Sequence, residues 1–219
     1  MKKCGLFFSL FFPALMLWPV LSCSNVEPRI LYGSIELVYY ETDGEPEERF
    51  NFFVIPEDDD GIENLAELYL YHDHDGLRWL IREDDWVRFQ HEDQTWIGSR
   101  SIAMTEGGVL PRGQYRAVLV NKSGEKTERF ISFDVPEEPR FPFPSFSIAE
   151  GGYSFESRYP RNHFICYDSQ GNFVGTVELK NREGSISSLN LPSGASTAGL
   201  WAEDAEYYTS ALTDVLPVR

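Results

Sequence analysis

The chain has 219 residues, with 35 acidic against 19 basic side chains and a formal net charge of −16. That balance excludes nucleic acid and anionic headgroups as direct partners, because both need Lys and Arg to neutralise phosphates. Hydrophobic residues at 42% and aromatics at 15% are too plentiful for a disordered chain, so the acidic surface must enclose a packed core.

Met1-Lys2-Lys3 precede an apolar run from Leu6 to Leu21, and Ser22-Cys23 follow it. A charged start, an apolar stretch and a small residue before a cut form the pattern of a cleaved export signal. The run is shorter than the roughly 20 residues of a membrane span, is interrupted by Pro13 and Pro19, and gives way at once to polar Ser24-Asn25. Val20-Leu21-Ser22-Cys23 resembles the lipobox of bacterial lipoproteins. The commonest box has Leu first and Ala or Gly before the cysteine, so Val20 and Ser22 make this one similar to the looser boxes of spirochaetes. The resemblance covers the export segment alone. It implies cleavage before Cys23, diacylglycerol on its thiol and an acyl group on its new amine. Two or three chains would hold the membrane stably, where one myristoyl-length chain binds at only about 10⁴ M⁻¹. The other reading of the same residues is an ordinary secretory signal that leaves the Cys23 thiol free. On the lipoprotein reading 1–22 are removed and 23–29 form a short tether. The mature charge becomes −18, since Lys2 and Lys3 leave and no acid goes with them. The expected address is the cell envelope, at the outer membrane on its periplasmic or surface face. With Cys4 in the signal and Cys23 acylated, Cys166 is the one thiol left and no internal disulfide can form.

Beyond the tether, short runs rich in β-branched and aromatic residues recur between turn signals. Strands are expected at 34–40, 49–55, 65–72, 77–81, 86–90, 95–99, 115–121 and 128–135. Asp43-Gly44, Asp60-Gly61, Asp75-Gly76, Gly107-Gly108 and Ser123-Gly124 punctuate them. Four prolines then fall within 136–144, a composition that makes a semi-rigid extended segment and cannot sit inside a sheet. Further strands are expected at 145–148, 153–156, 163–167, 173–179, 185–191, 197–202 and 207–215. The resulting expectation is an all-β chain of two tandem antiparallel β-sandwiches, 30–136 and 145–219, joined by a linker at 137–144. Gly113-Gln114-Tyr115 entering Ala117-Val118-Leu119-Val120 resembles the Gly-x-Tyr corner of immunoglobulin-like and fibronectin-like sandwiches. That resemblance implies a bond from the tyrosine hydroxyl to backbone upstream. Leu110-Pro111-Arg112-Gly113 is echoed by Leu191-Pro192-Ser193-Gly194, but Ser196 stands where a second corner tyrosine would fall.

Three clusters merit attention as sites. His72, Asp73, His74 and Asp75 put two imidazoles and two carboxylates within one short stretch, donors that suit a transition metal if the fold adds a third fixed ligand. The same residues also make an ordinary polar hairpin tip before Gly76. Asp58-Asp59-Asp60-Gly61 departs from a calcium loop because Pro56 would take the first ligand position, and it reads as a solvated acidic turn. Trp79, Trp86 and Trp96, with Tyr69 and Tyr71, offer a stacking surface for sugar rings or serve as core. Alternation cannot send both Trp86 and Phe89 inward, so some aromatic surface is expected outside. Gly-x-Ser-x-Gly and His-Glu-x-x-His do not occur, and a strand through His163 and Cys166 turns the two to opposite faces. These observations lead to a non-enzymatic envelope lipoprotein without a cofactor, a binding or assembly module for a protein or glycan at the membrane surface. The competing expectation is an envelope hydrolase or metal-binding protein centred on His72, His74 and nearby carboxylates.

Overall fold

The computed structural model describes residues 26–42, 44–105 and 107–218. The proposed signal and the lipidation residue Cys23 lie outside them. The described residues hold sixteen strands, three single-turn 3-10 helices and no α-helix. The strands run β1 Arg29–Thr42, β2 Glu45–Glu57, β3 Leu65–His72, β4 Leu77–Arg82, β5 Val87–His91, β6 Gln94–Ile102, β7 Gly113–Asn121 and β8 Lys126–Phe133. After the proline-rich stretch come β9 Ser145–Ala149, β10 Gly152–Glu156, β11 Arg161–Tyr167, β12 Phe173–Glu178, β13 Glu183–Ser185, β14 Thr197–Asp204, β15 Thr209–Leu212 and β16 Leu216–Pro217. No described helix is long and apolar enough to cross a membrane.

Three sheets result. The four-stranded sheet is ordered β4-β3-β7-β8 and the three-stranded sheet β13-β10-β9. The third sheet carries nine strands, ordered β12-β11-β14-β15-β1-β2-β6-β5, with β16 beside β14. Period-two alternation sends Ile35, Leu37 and Tyr39 of β1 and Phe50, Phe52 and Val54 of β2 to one side. There they pack with Leu68, Leu70, Tyr115, Leu119 and Phe133 from the four-stranded sheet into one core. A second core gathers Tyr153 and Phe155 with Phe164, Cys166, Ala198 and Leu200. Burial pushes the Cys166 thiol above its ordinary range, which suits packing and not nucleophilic chemistry.

The tyrosine corner is present: the Tyr115 hydroxyl, on a fully buried ring, donates to the Pro111 carbonyl at 2.6 Å. Arg112 beside it forms a fork on Glu48, with Nη2 to Oε1 at 2.8 Å and Nη1 to Oε2 at 3.0 Å. Its Nε donates to Val135 O at 3.0 Å, and its guanidinium lies 5.1 Å from the centre of the Phe133 ring. Glu48 Oε2 also accepts from the Leu110 amide at 2.9 Å. One buried ion pair therefore ties the loop before β7 to β2 and to the end of β8.

What joins the two cores goes beyond a proline-rich connection. Strand β15 pairs in parallel with β1, in register from Leu37 with Thr209 to Tyr40 with Leu212. The Leu37 amide donates to Tyr208 O at 2.9 Å and the Asp214 amide to Glu41 Oε2 at 3.1 Å. Within the proline-rich stretch, Phe141 and Phe143 pack against the first core. Arg140 meets the buried carboxylate of Asp204 at 3.3 Å.

Two expected strands resolve differently. The stretch 185–191 holds only the end of β13 and a 3-10 turn over Ile186–Ser188. Ser188 Oγ donates to Ser185 O at 2.7 Å, and local serine bonds of this kind compete with a sheet ladder. The stretch 207–215 contains a tight turn at Tyr208, whose φ is 52°, and then β15 alone.

Candidate functional site

The His72–Asp75 turn joins β3 to β4 and uses its polar groups locally. His72 is buried under Tyr115, with ring centroids 4.8 Å apart. Its Nε2 lies 3.1 Å from the Arg112 carbonyl, so that nitrogen donates. Nδ1 is 3.0 Å from Asp75 Oδ2, at ion-pair distance but without hydrogen-bond geometry. The His74 side chain is 90% exposed. Asp73 is held by Arg116 in a fork of 2.7 and 2.8 Å, which keeps its carboxyl below the usual range. Among the described residues no three His, Cys, Asp or Glu side chains are grouped to hold a metal. At the acidic turn, Asp58 Oδ1 accepts from the Asp60 amide at 2.9 Å and from Asn64 Nδ2 at 3.1 Å, a self-capped loop.

The five aromatic residues singled out in the sequence do not form one surface: Tyr69, Tyr71 and Trp79 lie on the four-stranded sheet, Trp96 on the nine-stranded sheet and Trp86 between β4 and β5. Trp79 donates its indole N–H to Ala103 O at 2.9 Å and Trp86 to Ile81 O at 3.0 Å, and both pack against the first core. Tyr69 and Tyr71 stack on each other on the outer face of the four-stranded sheet, with Arg116 4.5 Å from the centre of the Tyr71 ring. Trp96 lies elsewhere, on the outer face of the nine-stranded sheet.

There, alternation along four neighbouring strands brings together residues the sequence keeps far apart. Ser34 and Glu36 of β1 lie opposite Phe53 and Asn51 of β2. Phe53 faces Gly98 of β6, and Phe89 of β5 faces Trp96. With His91 and Arg100 these side chains line a hollow of about 310 Å³, at the low end of the roughly 300–1,000 Å³ of small-ligand sites. Gly98 is needed at its floor. A Cβ there would run into the Phe52 carbonyl and the Phe53 ring, so Trp96 and Arg100 flank an empty position. A register shift between Phe50 and Phe52 then returns Ile102 to the core.

One wall is aromatic. Phe89 and Trp96 lie parallel within 3° at 6.1 Å, Tyr32 meets Trp96 edge-on at 5.7 Å, and Phe53 meets Phe89 edge-on at 5.1 Å. The other side is polar. Glu36 Oε2 accepts from Asn51 Nδ2 at 3.0 Å, and Oε1 accepts from the Ser210 hydroxyl of β15. Two buried polar atoms of lining residues, Trp96 Nε1 and Asn51 Oδ1, have no partner. An unmade buried hydrogen bond costs about 1–3 kcal/mol, which makes such atoms informative. Arg100 makes neither ion pair nor hydrogen bond among the described residues, even though the chain is rich in carboxylates.

Desolvation raises the Glu36 carboxyl above its ordinary 4.5, against the lowering effect of its bonds to Ser210 and Asn51. A raised folded-state value means that the group's stabilising contribution is full below about pH 4.5 and is lost as pH rises through the folded value. Glu36→Gln is therefore expected to raise the thermal midpoint at pH 7 to 8. About 1 kcal/mol there corresponds to roughly 2–4 °C in a chain of this size. The gain should shrink to nothing near pH 4. Melting curves across that range check it, and a variant less stable than wild type at pH 8 contradicts the desolvated carboxylate.

Sequence reasoning named Trp96 and foresaw that Trp86 and Phe89 divide between core and surface. It missed Glu36, Asn51 and Arg100. The spacing Trp96-x-Gly98-x-Arg100 was the available signal, since it places an indole and a guanidinium on one face around a position without a side chain.

No family model matches the chain, and no curated protein matches it at a significant level. Among solved structures it is distantly similar to dimeric latent PorU from Porphyromonas gingivalis, at 12% identity over 88% of this chain and 20% of that one, with a TM-score of 0.32. It is also similar to murine CEACAM1b, at 7% identity over 86% of this chain and 99% of that one, with a TM-score of 0.26. The chain thus spans about a fifth of the PorU chain it matches. Likeness at this level carries no argument about activity. The class that the structure itself defines is an all-β protein of three sheets.

Proposed function

We propose that the protein is a non-enzymatic, lipid-anchored envelope module of two tandem immunoglobulin-like sandwiches. In this reading the outer face of the nine-stranded sheet is presented to a protein or glycan partner outside the cytoplasm. The observation that carries the binding role is the hollow between Trp96 and Arg100, with its aromatic wall, its orphaned polar atoms and a guanidinium that forms no ion pair among the described residues. The anchor rests on Val20-Leu21-Ser22-Cys23 and the charged, apolar segment before it. Absence of the common catalytic motifs, together with a buried Cys166, favours recognition over chemistry.

Two measurements test the reading. Cys23→Ala is expected to abolish incorporation of labelled palmitate and to leave the precursor uncut; normal labelling refutes the anchor. For the binding face, a photo-crosslinking amino acid at exposed His91 on living cells is expected to give a discrete adduct, while the same group at exposed His74 gives none. Adducts at His74 alone would move the partner to the opposite sheet and reject this face.

A further inference from the structure

We propose that the hollow on the nine-stranded sheet is a subsite for a pyranose ring that bears a carboxylate, such as a uronic or sialic acid; this assignment rests on the binding reading above. Three features of the site select that ligand. The first is the aromatic wall: Phe89 and Trp96 stack with parallel rings, within 3° of each other, and the indole is met edge-on by Tyr32, so the wall offers a ring face on which the C–H face of a sugar packs. The second is the pair of unsatisfied atoms in the lining. Trp96 Nε1 needs an acceptor and Asn51 Oδ1 needs a donor. A ring hydroxyl is both, so vicinal hydroxyls answer the two needs with one chemical group, after a small shift that lets them reach these buried atoms.

The third is Arg100. Alternation through Gly98 carries it to the same face as Trp96, and among the described residues it forms no ion pair with a carboxylate. Its planar fork matches one carboxylate with two parallel hydrogen bonds. Glu36 is near enough for its charge and that of Arg100 to be felt by each other, but the two form no ion pair, and the Glu36 oxygens accept from Asn51 and Ser210. A neutral sugar would leave the guanidinium idle, and a bare anion would leave the aromatic wall and the two orphaned atoms unused.

The test titrates the full chain in detergent with N-acetylneuraminic acid and with glucuronic acid, using glucose, galactose and acetate as controls, and reads saturation-transfer NMR. Saturable binding of at least one acidic sugar in the millimolar range is expected, tenfold or more tighter than that of either neutral sugar. Arg100→Gln should weaken it at least tenfold and Arg100→Lys by less. Arg100 is exposed, so neither variant threatens the fold. Equal binding of acidic and neutral sugars, indifference to Arg100→Gln, displacement by equimolar acetate, or no saturation by any sugar would each overturn the assignment. A crosslinked partner at His91 without acidic-sugar binding would sink the sugar while leaving the binding face standing.

Discussion

Arg112→Ala is expected to cost about 3–5 kcal/mol of stability, because it leaves Glu48 as an uncompensated charge in the core. The Glu48 side chain is only 9% exposed and that of Arg112 13%, so water cannot replace the lost partner cheaply. The guanidinium also holds the Val135 carbonyl at 3.0 Å and lies against Phe133, so the end of β8 loses its tie to the loop before β7. Burial and the neighbouring Glu48 push the Tyr39 phenol up to about 12, so Tyr39 stays neutral and adds no second negative charge beside Glu48. Arg112→Lys should fall between wild type and alanine, since an ammonium keeps the charge but not the fork. Glu48→Met combined with Arg112→Met should recover much of the alanine loss, because apolar replacement of both partners is often neutral. The Leu110 amide, which donates to Glu48 at 2.9 Å, limits that recovery. Urea midpoints of the three variants decide the matter, and an alanine cost below about 1 kcal/mol, the range of an exposed pair, would rule out a buried one.

How much of this was legible in the sequence depends on the range of the contacts concerned. Strands β3, β4 and β7 fall where Leu65–His72, Leu77–Arg82 and Gly113–Asn121 alternate between turn residues, because alternation and turn chemistry are local. The tyrosine corner was legible for the same reason, as Tyr115 bonds only four residues back. The Arg112–Glu48 pair was not, since 64 residues separate its partners and neither neighbourhood marks them. The hollow shows the same division. Trp96 and Arg100 share a face by simple alternation, but Glu36, Asn51 and Phe89 join them only through sheet order, which no single strand encodes. Serine-rich 185–191 misled because hydroxyl bonds to nearby backbone offset its hydrophobic signal.

Sheet order has its largest consequence at the seam between β1 and β15. Ala211 is fully buried in β15, opposite Tyr39 of β1 and Ala202 of β14, so its strand is central and links β1 of the first core to β14, whose Ala198 and Leu200 belong to the second. Ala211→Pro removes a ladder donor from a central strand. It leaves a buried carbonyl unpaired, at about 1–3 kcal/mol, and forces a ring into filled space, at about 1–3 kcal/mol more. A loss of roughly 2–6 kcal/mol is expected from the two together. The seam further predicts that wild type melts in one calorimetric transition, since opening β15 exposes the edge of β1 and breaks the Ser210 bond to Glu36 in the hollow. Two well-separated transitions in wild type, or an Ala211→Pro protein whose first core melts unchanged, would show that the cores fold apart. A single transition lost as a unit would mean that the hollow, where Glu36 and Ser210 meet from opposite ends of the chain, exists only when both cores are folded.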